Sequence, residues 1–176
     1  LMLELAIPSS LFAIGERVYN HPGMAARAIQ EGHELGNHMK RDEWSFTLGR
    51  EPFLKQLDDT AEGIRSDLAS TAQNVPLRWF RPSGGWYHPP METWVRSRGY
   101  RLVMGSLWPL DGLAIAPPEC AQRWFILQFV HPGAIIVLHD TQAANPATLR
   151  TLQAVVPALQ QRGFRFVTLN ELLTQG

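Results

Sequence analysis

Three short stretches concentrate residues able to do acid, base or metal chemistry. In "GHELGNHMKRDEWS" (32–45) two histidines and an aspartate fall within ten positions. His38 and Asp42 are four apart, so on a helical turn both side chains face one side and can share a cation. A solvated face or a helix cap is the plain alternative. In "GAIIVLHD" (133–140) an apolar run ends in His139 and Asp140, which delivers an imidazole to the rim of a sheet. Such a histidine can act as a general acid, above all when a carboxylate holds its second nitrogen; the alternative is a histidine that only hydrogen-bonds a loop carbonyl. In "WFRPSGG" (79–85) Arg81 stands between an apolar run and a Pro/Gly turn. There a guanidinium can orient a carboxylate through a two-pronged contact, and Gly84 and Gly85 let backbone N–H groups approach a substrate oxygen. A surface arginine before a tight turn is the other reading. His21, His33, His88 and His131, beside helix starts and loop prolines, are assigned to the scaffold.

The elements that must position these groups alternate along the chain. Strand-like runs are "SLFAIG" (10–15), the stretch leading to His38, "LRWFRP" (77–82), "RLVMGS" (101–106), "AIIVLHD" (134–140) and "FRFVTL" (164–169). Helical patterns fit 21–32, 51–70, 88–100, 118–130 and 146–162. In the second of these, Leu54, Leu57, Ala61, Ile64 and Leu68 recur at spacings of three and four, as one buried face requires. Strands that alternate with helices predict an α/β fold with parallel pairing, because parallel neighbours need a crossover. In such folds chemistry gathers at the carboxyl ends of the strands. His38 and Asp42 follow the second strand, Arg81 ends the third, Asp111 follows the fourth, and His139 and Asp140 end the fifth.

Composition removes other classes. The 176 residues suit one domain, 1–176, with no linker or repeat. Sixteen basic and sixteen acidic residues leave no field to attract nucleic acid or anionic lipid. No apolar run is long enough to span a bilayer. A lone Cys120 excludes an intrachain disulfide framework and reads as a small core residue. Trp44, Trp86 and Trp108 fall in loops around the presumed site, where aromatic faces suit stacking on sugar rings; Trp79, Trp94 and Trp124 read as buried packing. The opening "LMLELAIP" starts on Leu and reads as the last turns of a helix, with neither the basic start nor the long apolar stretch of a signal peptide. The expectation is a chain whose N-terminal part, with any export signal, precedes this sequence.

Taken in order, "SLFAIGERVYNHPGMAARAIQEGHELGNH", "RWFRPSGGWYHP" and "GAIIVLHD" resemble the polysaccharide deacetylase family, the NodB-homology domain of carbohydrate esterase family 4. The resemblance covers nearly the whole chain. It implies a distorted parallel barrel of about seven β/α units, a divalent metal, usually zinc, held by one Asp and two His, and removal of acetyl groups from N-acetylglucosamine polymers such as chitin oligomers and peptidoglycan, or from acetylated xylan. By motif, His38 matches the first histidine of the His-x-x-x-His pair, and Arg81 with Pro82 matches the Arg-Pro motif that steers the catalytic base. His139 matches the general acid of the Leu-His motif, Leu138 the apolar residue beside the acetyl pocket, and Asp111 the acidic residue that tunes the histidine. Gly84, Gly85, Trp86 and Trp108 join the substrate-binding set. The implied partner is an acetylated saccharide, and the implied compartment is extracellular or the cell envelope.

Two departures stand out. The family's first motif, Thr-Phe-Asp-Asp-Gly, which supplies the base and one metal ligand, does not occur here. A first strand carrying an acidic pair is expected about 25–40 residues before Leu11, within the length of one β/α unit. The 176 residues without it are expected to be inactive or nearly so. Asp42 stands where the family has its second histidine. A carboxylate there can still ligate, adds negative charge to the ion, and widens tolerance to manganese, cobalt or nickel. The alternatives are a catalytically impaired carbohydrate-binding homologue, or a hydrolase of cyclic amides on the same fold.

Overall fold

The computed structural model describes residue 2 and residues 4–71, 75–140 and 146–174. In chain order the regular elements are β1 (Ser10–Ala13), α1 (Gly15–Asn20), α2 (Met24–Gln30), β2 (Glu34–Asn37), α3 (Arg50–Leu68), β3 (Trp79–Phe80), α4 (Pro89–Arg96), β4 (Arg101–Leu102), α5 (Glu119–Phe129), α6 (Pro146–Gln161) and α7 (Leu169–Thr174). They divide into two units, Pro8–Met104 with Thr168–Thr174, and Gly105–Val167 with the two chain ends.

The first unit is built on a parallel sheet in the order β1-β2-β3-β4. β1 and β2 pair over their whole length, from Ser10 with Glu34 to Ala13 with Asn37. β2 meets β3 at Asn37 and Phe80, so the residues that follow these strands, His38 and Arg81, leave the sheet side by side. The apolar spacing of α3 does what it predicts: Phe53, Leu54, Leu57, Ala61, Ile64 and Leu68 are buried. Ile64 and Leu68 pack with Val18, Ala25 and Leu35, and Phe53, Leu54 and Leu57 with Met39, Phe80, Met91 and Val95. α2 has no cap of its own. Instead the Asp67 carboxylate of α3 accepts the N–H groups of Ala25 (2.8 Å) and Ala26 (3.3 Å), supplying from a neighbouring helix the negative charge that a helix start favours.

At the other end of the chain α7 is tied to this sheet. Its Leu169 N–H donates to Ser10 Oγ (2.9 Å) and its Asn170 N–H to Glu34 Oε2 (3.2 Å). The buried Glu34 also accepts from Ser10 Oγ (2.6 Å) and Trp79 Nε1 (2.9 Å), so no buried oxygen of this carboxylate lacks a donor.

The second unit centres on the packing of α5 against α6, with Ile126, Val155 and Leu159 buried and Leu138, Phe164 and Phe166 against them. Thr151 Oγ1 donates to Gln122 Oε1 (3.1 Å) and Gln122 Nε2 to Pro117 O (2.8 Å), which ties the two helices through a satisfied buried amide.

Three expectations are corrected. The runs 134–140 and 164–169 form no named strand: a single parallel bridge joins Leu107 and Ile136. The ladder cannot extend through His139, whose backbone N–H donates to Asp111 Oδ2 (2.6 Å), and the Phe164 N–H closes the end of α6 on Leu159 O (3.0 Å). Cys120 is exposed, and so is Trp124, at 61%. Both lie on the outer side of α5, whose buried positions are Gln122 and Ile126. The opening residues form turns rather than a helix, with residues 1 and 3 outside the described set.

Candidate functional site

The candidate residues fall into two groups, one per unit. In the sheet unit, His38 takes its position from Asn37, which is fully buried. The Asn37 amide donates to Leu57 O (2.8 Å) and its Oδ1 accepts the Met39 N–H (3.0 Å). That bond holds Met39 at φ +68, a left-handed conformation that costs a β-carbon-bearing residue on the order of 1 kcal/mol. His38 Nδ1 lies 2.8 Å from Arg81 O. A carbonyl only accepts, so Nδ1 carries the proton and the lone pair resides on Nε2. This is the second-sphere arrangement typical of metal-binding histidines.

Arg81 is anchored by its backbone N–H on Asn37 O (3.1 Å). Its guanidinium carbon sits 4.1 Å from the centroid of the Phe12 ring, and Nε reaches Val103 O at 3.4 Å. Among the described residues it makes no ion pair. Burial pushes its pKa down to about 10, which leaves it cationic at neutral pH and short of an anion. Phe12 also meets the His38 ring edge-on at 6.4 Å, so one aromatic side chain of β1 supports both groups. Asp42 is more loosely held. Its carboxylate accepts from Ser83 Oγ at 3.3 Å and lies 3.8 Å from Arg17, with 57% of the side chain exposed. Pro82 is buried and extended, and the turn after it places Gly84 at φ +80. Gly85 donates its N–H to Pro82 O within this turn (3.1 Å). Trp86 is 68% exposed.

In the second unit, the carboxylate of Asp111 is fully buried and accepts three hydrogen bonds: His139 Nδ1 (3.0 Å), His139 N (2.6 Å) and Thr148 Oγ1 (3.2 Å). The imidazole retains 34% exposure, with Trp108 edge-on at 6.1 Å. Gly112 makes room for the ring: a methyl group there would stand 2.7 Å from His139 Nδ1. Leu110, one residue before Asp111, is held at φ +64, so each group has a strained non-glycine neighbour. Leu138 is turned into the α5–α6 cluster. Thr148, Gly112 and Phe12 were not singled out from sequence.

A metal ion fits part of this donor set. His38 has the tautomer for it, and Asp42, held only by long contacts, is free to reorient. The described residues nevertheless contain no cluster of three His, Cys, Asp or Glu that could hold an ion, so an ion bound here would need a third donor from outside them.

Comparison with known proteins agrees with the motifs. The profile of the polysaccharide deacetylase family matches residues 1–103. A peptidoglycan-N-acetylglucosamine deacetylase of Bacillus cereus is 28% identical over 174 residues, covering 98% of this chain and 78% of that protein. Among solved structures, a carbohydrate esterase family 4 pseudoenzyme from Bacillus anthracis superimposes with a TM-score of 0.84 at 23% identity, over 98% of this chain and 59% of that one. A family 4 acetyl xylan esterase from Clostridium thermocellum, solved with a cobalt ion, gives 0.82 at 26% identity, over 99% and 80%. These likenesses show the α/β barrel fold of carbohydrate esterase family 4. The profile spans more than half of the sequence, and the chain belongs to the polysaccharide deacetylase family.

Proposed function

We propose that the chain forms the larger part of a hydrolase that removes acetyl groups from an N-acetylglucosamine polymer such as peptidoglycan or chitin oligomers at the cell envelope. The observation that carries this reading is the His139–Asp111 pair, in which a triply hydrogen-bonded, buried carboxylate fixes a half-buried imidazole. Proton release to a leaving nitrogen needs this geometry: Asp111 holds Nδ1–H, which leaves Nε2 as the atom that gives its proton to the departing amine. Overall, water adds to the acetyl carbon, the C–N bond breaks, and amine and acetate leave. Arg81 orients the carboxylate that takes the proton of water, a group expected from the first motif that this sequence lacks. His38 and Asp42, with a third donor, would hold a divalent ion, zinc by family resemblance, that polarises the acetyl carbonyl and makes water more acidic.

The test is acetate release from chitin oligomers, peptidoglycan and acetylated xylan, using a chain extended by a strand that bears the acidic pair. The expected result is release with the extension, little without it, and a loss of about 100-fold or more for His139→Ala. Saccharide binding without release would support a binding homologue instead, a reading that the pseudoenzyme likeness keeps in view. Opening of cyclic imides would move the reading to that chemistry.

A further inference from the structure

The loops that follow β2 and β3 are laced together. Ser45 Oγ donates to Ser83 O (3.1 Å), and Ser83 Oγ donates to Asp42 Oδ1 (3.3 Å); Ser45 and Ser83 are both fully buried. Over this clasp lies the indole of Trp44. Its edge rests on Gly84, where a methyl group would meet Cδ1 at 2.7 Å. Phe46 stacks on it at 5.6 Å and 29°. Yet Trp44 is 62% exposed, and Trp86 and Tyr87, on the facing loop, are 68% and 48% exposed.

A large aromatic ring that is fixed on one side and wet on the other presents apolar area at little entropic cost. Of the charges nearest it in sequence, Arg41 pairs with Glu16 at 2.9 Å and Arg17 with Asp42 at 3.8 Å, while the Glu43 carboxylate accepts from the Gln56 amide at 2.5 Å, so the border favours an uncharged ligand over an anion. We propose that Trp44 is a stacking subsite for a pyranose ring of the polymer other than the one that is deacetylated, and so selects chain length. The inference rests on the saccharide reading above. His38 and Arg81 stand at the strand ends themselves, whereas Trp44 is carried six residues further out on the loop, where a neighbouring ring of a longer substrate would lie.

Calorimetric titration of the chain with N-acetylglucosamine dimer and hexamer tests it. Trp44→Ala is expected to weaken hexamer binding by about tenfold, the scale of one buried aromatic contact, and to leave dimer binding within about twofold. Gly84→Ala should reproduce the loss by displacing the indole, and Trp44→Phe should restore part of it. Equal hexamer affinity in wild type and Trp44→Ala would overturn the subsite while leaving the saccharide reading intact. Failure of the wild type to bind either oligomer would overturn both. Sedimentation supplies a further check: a dimer of wild type that Trp44→Ala dissolves would make a second copy of this chain the occupant and overturn the proposal.

Discussion

The two candidate groups are finished to different degrees. In the second unit Asp111 has three donors and His139 one fixed orientation; the pair is complete within its own residues. In the sheet unit Arg81 is a desolvated cation whose polar side-chain contact among the described residues is one 3.4 Å bond to a carbonyl, and Asp42 hangs there from two long contacts. A buried charge is tolerated when an anion answers it. Under the reading proposed above, the contrast marks where a carboxylate would face Arg81 and a further ligand would stand beside His38. By the resemblance, both would be contributions of the family's first motif.

Substitutions sharpen this contrast. The largest effect is expected for Asp111→Ala, which leaves a buried hydroxyl and two N–H groups of His139 without their acceptor and should cost about 3 kcal/mol or more. Denaturant unfolding checks it, and a cost below about 1 kcal/mol would mean that the pair is dispensable. Arg81→Met should be close to neutral, within about 1 kcal/mol, because it removes a desolvated charge without stranding a partner. A cost above about 3 kcal/mol would reveal an anion that pairs with it. Its pH dependence has a definite sign. Arg81 loses its proton near pH 10 when folded and only at its higher ordinary value when unfolded, so between these values the unfolded state holds more protons. The stability of wild type relative to Arg81→Met should therefore rise with pH above about 10, and a flat or falling difference would refute the burial. The smallest effect belongs to Asp42→Ala: unfolding should shift by about 1 kcal/mol or less, since the exposed ion pair adds little and the bond lost from the Ser83 hydroxyl is long. In a chain with the first motif restored, metal affinity should fall by about tenfold or more if Asp42 ligates. Unchanged affinity would leave Asp42 with the loop clasp alone.

Much of the scaffold could be read from the sequence because it obeys local rules. The apolar repeat of α3 and the glycine and proline boundaries of α4 are written within a few residues of where they act. His38 and Arg81 stand out locally as well, each directly after a strand. What escaped is non-local. Thr148 reaches Asp111 from 37 positions away, and Phe12 supports Arg81 from a different strand, so neither leaves a signature near its partner. The strand expected at 134–140 failed for a related reason: the backbone of His139 is claimed by a side chain, a competition that periodicity does not encode. On α5, an apolar-looking helix hid which side would face water, and Cys120 and Trp124 were assigned to the wrong one.

The bond from Asn170 to Glu34 spans 136 positions. A protein is made from its N-terminus, so Ser10, Glu34 and Trp79 emerge long before α7 exists. Until α7 leaves the ribosome, the carboxylate on β2 has no helix to cap, and this sheet is completed long after its own strands are made. Closing so long a loop is slow and entropically costly. α7 is therefore a poor place for truncation or insertion, although the candidate site residues lie elsewhere.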